Sequence, residues 1–188
     1  MDTKKELRSI FSKVRASAKN ELKDQLICAR LLSYPKIISA DTVLMYASFG
    51  SEVNTWDMAE KLLQKGIVLA YPKCGDNGKM DFHCISSLSD LCDGSEGKFG
   101  ICEPCGDLPI PEITDRTVCI VPALALTEKG VRLGYGGGFY DRFLSAHPGI
   151  CTVAPAYEAV LTDKLPQAEH DIKINAIVTE ERLVLCNE

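Results

Sequence analysis

The sequence predicts an α/β fold with a mainly parallel sheet between layers of helices. Short β-branched runs alternate with helical patterns, and proline or glycine closes most of the runs. A strand–helix–strand order of this kind needs right-handed crossovers, which place helices against the faces of the sheet. The chain has 188 residues, of which 46% are hydrophobic, so we expect one three-layer domain over residues 1–188.

Two amphipathic helices are predicted before the first strand. Residues 3–18 show apolar side chains at helical spacing, and Asn20 is a suitable N-cap for a second helix that ends before Pro35. We therefore expect an N-terminal helical pair that packs on the sheet. The residues predicted to face inward are Leu7, Ile10, Phe11, Val14 and Ala18 in the first helix, and Leu22, Leu26, Ala29 and either Leu31 or Leu32 in the second.

A strand–helix–strand unit follows this pair. Residues 42–46 form an apolar β-rich run, and residues 47–54 form a loop at the expected carboxyl end of that strand. Thr55 is placed to begin a helix that Gly66 ends. Residues 67–71 then give the next strand, so this unit predicts two parallel neighbours in the sheet.

The middle of the chain is less regular. Pro72 is expected to break the second strand, and residues 80–85 predict a further strand with an antiparallel neighbour. Residues 86–116 contain many Ser, Gly, Pro and Asp residues and predict a long irregular segment, a feature often tied to function in compact domains. The β-branched run at 117–121 is expected to return the chain to the core of the sheet.

A glycine cluster is the most unusual local feature of the sequence. Gly134, Gly136, Gly137 and Gly138 lie within five positions, ahead of a predicted short helix over residues 139–146. Glycine lets backbone N–H groups approach an anion closely, and a helix N-terminus adds free donors. The pattern therefore favours a phosphate-binding loop, although a tight turn alone would also explain it. Two further strands are predicted at residues 151–154 and 175–179.

Two common nucleotide-binding motifs are excluded at this cluster. Gly138 is followed by Phe139 and Tyr140 rather than by Lys and Ser or Thr, so the segment is not a P-loop. The third glycine of a dinucleotide fingerprint is also missing, because Phe139 stands in its place. A nicotinamide-dependent enzyme is therefore not expected.

Composition and charge indicate a cytoplasmic protein that binds neither membranes nor nucleic acid. The start of the chain predicts a charged helix rather than a signal peptide, and no apolar run approaches the length of a membrane helix. The net charge is −5, yet residues 1–36 hold nine basic and four acidic residues. Because these basic residues alternate with apolar ones, we interpret most of them as a solvated helix face.

The nine cysteines are expected to stay reduced and to serve as small apolar residues. Cys102 and Cys105 form a C-x-x-C pair, with His83, Cys84 and Cys92 upstream as further candidate ligands. A zinc site therefore remains an alternative, although the intervals match no common structural zinc pattern.

Several segments in chain order resemble the 5-formyltetrahydrofolate cyclo-ligase family, whose members are also called methenyltetrahydrofolate synthetases. The resemblance spans nearly the whole chain, and its glycine segment is the most specific part. The matching segments are Lys4 with Leu7 and Arg8, Glu52-Val53-Asn54-Thr55, residues 98–104, Val121 to Ala125, the segment from Arg132 to Arg142, and His170 with Asp171.

This resemblance implies an ATP-dependent ligase that needs Mg²⁺. The implied reaction converts 5-formyltetrahydrofolate to 5,10-methenyltetrahydrofolate with release of ADP and phosphate. The substrate would be this small molecule, with or without a polyglutamate tail, and we expect a monomeric enzyme. The protein would then act by positioning and charge stabilisation, which agrees with the lack of a nucleophilic triad in the sequence.

The resemblance also implies roles for particular residues. Lys4 and Arg132 would act on the transferred phosphate, and Asp141 and Asp171 would hold Mg²⁺, a hard cation that favours carboxylates. The residues that would bind ATP are Lys4, Arg8, Arg132, Gly134, Tyr135, Gly136, Gly137, Gly138, Phe139 and Tyr140. The residues that would bind the folate are Ala47, Glu52, Phe99, Tyr135 and Phe139.

Two other functions remain open from the sequence. One is a regulator that binds nucleotide or folate on the same fold without catalysis. The other is an interaction protein stabilised by zinc at Cys84, Cys92, Cys102 and Cys105. Tyr135 and Gly137 also stand where some members of the resembled family have basic residues. This difference predicts weaker binding of a polyglutamate tail or of phosphate.

Overall fold

The structure, a computed structural model, describes residues 3–75, 78–92, 100–105 and 107–186. Within these ranges the helices are α1 (Lys4–Ala18), α2 (Glu21–Ser33), α3 (Pro35–Ile38), α4 (Trp56–Gln64) and α5 (Phe139–Ala146). The strands are β1 (Thr42–Leu44), β2 (Val68–Cys74), β3 (Met80–Ile85), β4 (Thr117–Ile120), β5 (Ala125–Leu126), β6 (Arg132–Leu133), β7 (Cys151–Pro155), β8 (Ala176–Val178) and β9 (Leu183–Leu185).

The central sheet in these ranges has the strand order β3-β2-β1-β4-β7-β8-β9. The five inner strands run parallel, whereas β3 and β9 pair antiparallel at the two edges. Inner strands of such a sheet are covered on both faces and are therefore apolar along their whole length. The predicted α/β class with a mainly parallel sheet is confirmed.

Apolar side chains cover both faces of the sheet. On one face, Val43 and Ile120 pack in a cluster with Ile27 of α2 and Met58 of α4. On the other face, Cys119 belongs to a cluster that includes side chains of α5. Helices therefore lie on both sides of the sheet, which gives the three layers that the sequence predicts.

The N-terminal helices begin at well-formed caps. The Thr3 hydroxyl accepts from the backbone N–H of Glu6, and the Glu6 carboxylate accepts from the Thr3 N–H in return, which is a capping box. Asn20 Oδ1 accepts from the N–H groups of Leu22 (2.9 Å) and Lys23 (3.4 Å) at the start of α2. These contacts satisfy donors that a helix start leaves free.

The inward face predicted for α2 is correct only at Leu31. Leu22, Leu26 and Ala29 are exposed, whereas Asp24 and Ile27 are buried, together with Cys28 and Leu31. Periodicity alone could not find this face because it contains Asp24. That carboxylate accepts a hydrogen bond from the Tyr157 hydroxyl (2.5 Å), which compensates its burial.

The inward face of α1 also differs from the prediction. Ile10 is 47% exposed, while Leu7, Phe11 and Val14 are half-buried. The most buried residue of α1 is Arg15, at 5% exposure. Most basic residues of this segment are expected on a solvated face, and Arg15 is an exception to that expectation.

Pro72 does not break β2, contrary to the prediction. The pairing of β2 with β1 ends at Ala70, and Pro72 then pairs only with Phe82 of β3. Proline lacks a backbone donor, but a strand that has a neighbour on one side only can accommodate this loss. The strand therefore continues to Cys74.

The helix α3 and three short strands, β5, β6 and β9, escaped the sequence prediction. β5 and β6 form a hairpin of two residues each, and β9 adds an antiparallel edge after β8. Segments this short carry too few residues to show an alternating pattern. Apart from β2, which ends three residues beyond its predicted bound, the predicted elements lie within two residues of the observed bounds, and the bounds of β3 and α5 agree in full.

The described part of the 86–116 segment is irregular, apart from a short 3₁₀ helix at Leu88–Asp90 and an isolated bridge between Leu91 and Pro104. Cys92 and Cys105 form a disulfide, with a Cα–Cα distance of 5.4 Å. The expectation that all nine cysteines stay reduced is therefore wrong for this pair. None of the helices in the described ranges is both long and apolar enough to cross a membrane.

Candidate active site

The candidate site lies where the order of strands reverses along the chain. From β1 the chain proceeds outward to β2, and it later returns to β4 on the opposite side of β1. In open α/β sheets, ligands bind at the carboxyl ends of the strands at such a point. The loop after β1 carries Glu52, and the glycine loop, residues 134–138, lies between β6 and α5.

The glycine loop needs glycine for its backbone shape. Gly136 and Gly138 have φ angles of 99° and 67°, in the left-handed region that side chains rarely adopt. Gly138 is the N-cap of α5 and supplies no side-chain acceptor. Within the described part of the chain, the N–H groups of residues 135–139 donate to no protein acceptor. A free N-terminus with open donors of this kind suits an anion.

A pair of opposite charges flanks this loop. Arg132 Nη2 donates to Asp141 Oδ1 at 3.0 Å, and Arg132 Nη1 donates to the Pro122 carbonyl at 3.3 Å. The Arg132 side chain is only 6% exposed. Its Nε atom is buried and has no hydrogen-bond partner among the described residues. A buried donor without a partner is costly, so this guanidinium keeps one N–H group that the described residues do not satisfy.

Helix α1 supplies two more cations, one to Asp171 and one to the glycine loop. Lys4 Nζ donates to Asp171 Oδ2 at 2.5 Å, and Arg8 Nε donates to the Gly134 carbonyl at 2.9 Å. Partial burial acts to raise the pKa of Asp171, but hydrogen bonds from the Ala168 N–H and Lys4 outweigh it and leave that pKa below its usual range. Lys4 and Arg8, one helical turn apart, therefore project from the same side of α1.

The two predicted metal ligands lie on adjoining segments. The backbone N–H of Ile172, the residue after Asp171, donates to Asp141 Oδ1 at 3.3 Å. Mg²⁺ in nucleotide sites commonly takes one or two carboxylates and completes its shell with water and phosphate oxygens. Asp141 and Asp171 fit that donor set. Across the described ranges, no group of three or more His, Cys, Asp and Glu side chains is placed to hold a metal ion.

Glu52 is buried, at 4% exposure, although it lies on a loop. Its Oε1 atom accepts from the Tyr135 hydroxyl at 2.7 Å, and its Oε2 atom accepts from the Phe49 N–H at 3.1 Å. Burial raises the pKa of Glu52, while these two hydrogen bonds and the nearby charges of Arg15 and Lys19 counteract it. The hydroxyl of Tyr135 thus connects the glycine loop directly to this carboxylate.

Two residues of this region were not predicted to take part. Arg15 Nη2 donates to the Tyr135 hydroxyl at 2.6 Å, and Nη1 lies 3.8 Å from Glu52 Oε1. Phe49 lies beside Tyr135, with ring centroids 5.7 Å apart, and both rings are partly exposed. No sequence signal separates Arg15 from the other basic residues of α1. Phe49 lies three positions before Glu52, which could have indicated a role.

The remaining predicted residues take different positions. Ala47 is buried in the cluster under the loop. Tyr140 turns inward, and its hydroxyl is buried with no hydrogen-bond partner among the described residues. Phe139 is half-buried and packs against the Arg142 guanidinium, which lies 5.4 Å from its ring centroid. Phe99 lies outside the described residues.

Fold and site together define an α/β protein whose cationic groups, paired carboxylates and glycine loop meet at the switch point of the sheet. Comparison with known proteins refines this class. The model of the "5-formyltetrahydrofolate cyclo-ligase family" matches residues 1–180. The chain belongs to the 5-formyltetrahydrofolate cyclo-ligase family, and the predicted enzyme class, a ligase, is confirmed.

Individual relatives agree with this assignment. The 5-formyltetrahydrofolate cyclo-ligase of Escherichia coli K12 is 32% identical over 167 residues, which cover 85% of this chain and 88% of that protein. The enzyme of the same name from Mycolicibacterium smegmatis is 32% identical over 151 residues, covering 77% and 76%. The NMR structure of Aquifex aeolicus 5,10-methenyltetrahydrofolate synthetase superposes with a TM-score of 0.79 at 27% identity, covering 98% of this chain and 93% of that one.

Proposed function

We propose that this chain converts 5-formyltetrahydrofolate to 5,10-methenyltetrahydrofolate, with consumption of ATP and release of ADP and phosphate. The observation that carries the proposal is the hydrogen bond between Tyr135 and Glu52. This bond joins the glycine loop, whose free N–H groups can bind phosphate, to Glu52, whose carboxylate can accept from the N–H groups of a heterocycle. Membership of the family supports the same substrate and product.

The glycine loop and its cations would bind the phosphates of ATP. The open N–H groups of residues 135–139 and the unpaired Nε of Arg132 supply donors, and Lys4 and Arg8 add positive charge. Donors fixed before the reaction stabilise charge that develops on the transferred phosphate, because they need no reorganisation. Arg132 and Lys4 are therefore the proposed catalytic residues.

Asp141 and Asp171 would hold Mg²⁺. When bound, this ion neutralises phosphate oxygens and orients them for transfer. In the structure the two carboxylates are paired with Arg132 and Lys4. Either cation could turn from its carboxylate toward a phosphate, so the same four side chains can serve both the carboxylates and the nucleotide.

The reaction follows from the chemistry of an amide oxygen, which is a poor leaving group. The formyl oxygen attacks the γ-phosphorus of ATP, and the bond between that phosphorus and ADP breaks. The formyl oxygen now carries a phosphoryl group, so the formyl carbon has phosphate as a leaving group. N10 then attacks that carbon and loses its proton, and the C–O bond breaks to release phosphate. The protein residues orient the two substrates and stabilise charge, and none of them forms a covalent intermediate.

The folate would lie against Glu52, whose carboxylate can accept hydrogen bonds from the amino and ring N–H groups of a pterin. Tyr135 and Phe49 present partly exposed aromatic faces beside it, and such faces suit a flat ring. Ala47, Phe139 and Phe99 remain predicted contacts.

Further parts of the proposal concern the setting of the enzyme. We expect a monomer that acts in the cytoplasm on a small molecule, with no nucleic acid or membrane as partner. A polyglutamate tail on the folate is compatible with the exposed cations of α1. The single-domain organisation of residues 1–188 is part of the same proposal.

The assay is the near-ultraviolet absorbance of the methenyl product. Purified protein with 5-formyltetrahydrofolate and Mg-ATP is expected to form product and ADP in equal amounts, and omission of ATP or addition of a chelator is expected to stop the reaction. Folded protein that binds both ligands and releases no ADP would contradict the proposal and would favour the non-catalytic binder instead.

A further inference from the structure

We infer that Arg15 is a positioning residue. Through the hydroxyl of Tyr135, it fixes the glycine loop relative to Glu52, the carboxylate proposed to bind the folate. This inference rests on the proposed function and adds to it a residue outside every motif of the sequence. Its basis is the set of contacts that the Arg15 side chain makes.

The guanidinium of Arg15 joins three separate loops. Its Nε donates to Ser51 Oγ at 3.1 Å on the loop after β1, and its Nη1 donates to the Ala123 carbonyl at 3.0 Å on the loop after β4. Its Nη2 donates to the Tyr135 hydroxyl at 2.6 Å on the glycine loop. A planar guanidinium can hold three acceptors in a fixed arrangement, whereas a lysine ammonium cannot reproduce that fork.

The buried positive charge of Arg15 is compensated by Glu52. A buried cation is costly unless it is paired, and Glu52 Oε1 lies 3.8 Å from Arg15 Nη1. The Tyr135 hydroxyl accepts from Arg15 and donates to Glu52 at 2.7 Å, so it bridges the two charges. The direction of these bonds requires Glu52 to act as an acceptor, which is also the state that binds N–H groups of a ligand.

Most of the negative charge of the Glu52 carboxylate is compensated by Arg15, partly through the Tyr135 hydroxyl. Arg15 and Lys19 are the cations that face it, and Lys19 Nζ donates to the Glu52 backbone carbonyl rather than to its carboxylate. Among the described residues, the phenols of Tyr46, Tyr135 and Tyr140 also interact with the Glu52 charge, and Asp24 accepts from Lys19 at 3.3 Å. Loss of the Arg15 charge would therefore shift the ionisation of Glu52 to higher pH.

The test compares Arg15→Met, Arg15→Lys and Tyr135→Phe with a matched pair at Arg30. Arg30 of α2 donates to the carbonyls of Thr179 and Glu181 after β8, which lies three strands from β1 in the sheet, so Arg30→Met and Arg30→Lys remove an arginine anchor that contacts none of the proposed site residues. For each variant we would measure the melting temperature, the KM for each substrate, and kcat/KM for the folate against pH.

We expect Arg15→Met to raise the folate KM by about tenfold or more, a change on the scale of one charge-assisted hydrogen bond. Its acid limb in kcat/KM should move to higher pH. Arg15→Lys keeps the positive charge, so its acid limb should lie at the wild-type pH. Its folate KM should fall between those of the wild type and Arg15→Met, because an ammonium cannot donate to all three acceptors of the guanidinium. Tyr135→Phe should have a smaller effect in the Arg15→Met background than alone.

The inference is overturned if the Arg15 and Arg30 variants behave alike, with lower melting temperatures but unchanged folate KM and pH limb per folded molecule. If Arg15→Met does not fold, Arg15→Lys and Tyr135→Phe decide the question by the same readouts. An inactive wild-type chain would instead contradict the proposed function, and the inference would fall with it.

Discussion

Single side chains in this site have several partners at once. Asp141 accepts from Arg132 and from the backbone of Ile172, and Asp171 accepts from Lys4 and from the backbone of Ala168. For Asp171 these hydrogen bonds outweigh partial burial and leave its pKa below the usual range. The cations between them reduce the repulsion that an incoming phosphate would otherwise meet.

Asp141→Asn tests the role of that carboxylate as a metal ligand. The amide oxygen can still accept from Arg132 and Ile172, but the negative charge is lost. We expect turnover at saturating ATP to fall by roughly 10²-fold, and more Mg²⁺ to be needed for half-maximal rate. Steady-state kinetics over a Mg²⁺ titration would measure both changes.

The control for this variant is Asp163→Asn, because Asp163 is exposed on a loop away from α5. It should leave turnover and the Mg²⁺ requirement unchanged. A melting temperature for Asp141→Asn far below that of the wild type, together with normal turnover per folded molecule, would contradict the assignment. Arg132→Ala is less suitable, because it would leave Asp141 without its ion-pair partner and would lower stability as well.

The sequence predicted part of this residue-level arrangement. Lys4, Arg8 and Asp171 were named through the resemblance, and in the structure Lys4 pairs with Asp171 while Arg8 donates to the Gly134 carbonyl. Arg15 could not be identified in this way, because its burial depends on Ala123, Tyr135 and other residues far from it in the chain. Local periodicity carries no information about such distant acceptors.

At the scale of elements, α1 organises the site. Lys4, Arg8 and Arg15 lie on one side of this helix and reach the segment around Asp171, the glycine loop and the loop after β1. Its apolar residues Phe11 and Val14 pack against the cluster on the α5 side of the sheet. The same helix therefore contributes both to the core and to the charge of the site.

The N-cap of α2 gives a prediction for stability. Asn20→Ala removes the acceptor for two free N–H groups at the helix start, so we expect the free energy of unfolding to fall by about 1 kcal/mol. Chemical denaturation would measure the change. Gln25→Ala, at an exposed position inside α2, is the control and should change stability by only a few tenths of a kcal/mol. If both variants lose the same free energy of unfolding, the Asn20 cap does not stabilise the helix.

Elements with strong local signals were predicted well. The bounds of α5 follow from Gly138 before it and from Pro148 and Gly149 after it, and the structure confirms them. The course of β2 beyond Pro72 was not predictable, because it depends on which side of the strand has a neighbour. The disulfide between Cys92 and Cys105 also depends on how the loop folds rather than on spacing.

At the scale of the whole molecule, the site collects residues from both ends of the chain. Lys4 meets Asp171, Arg15 meets Tyr135, and Tyr135 meets Glu52. Such a site exists only when the complete sheet has formed, because β1, β4 and the β5–β6 hairpin each position one of its loops. The resemblance could assign roles to these residues, but only the fold shows that Tyr135 connects the two proposed ligand sites.

The central claim is that this site uses ATP to phosphorylate the formyl oxygen of the folate. A reaction with 5-formyltetrahydrofolate carrying oxygen-18 in its formyl group tests this most directly. Mass spectrometry of the released phosphate is expected to find one oxygen-18 atom for each methenyl product formed. Unlabelled phosphate, with the label lost to water, would contradict the account.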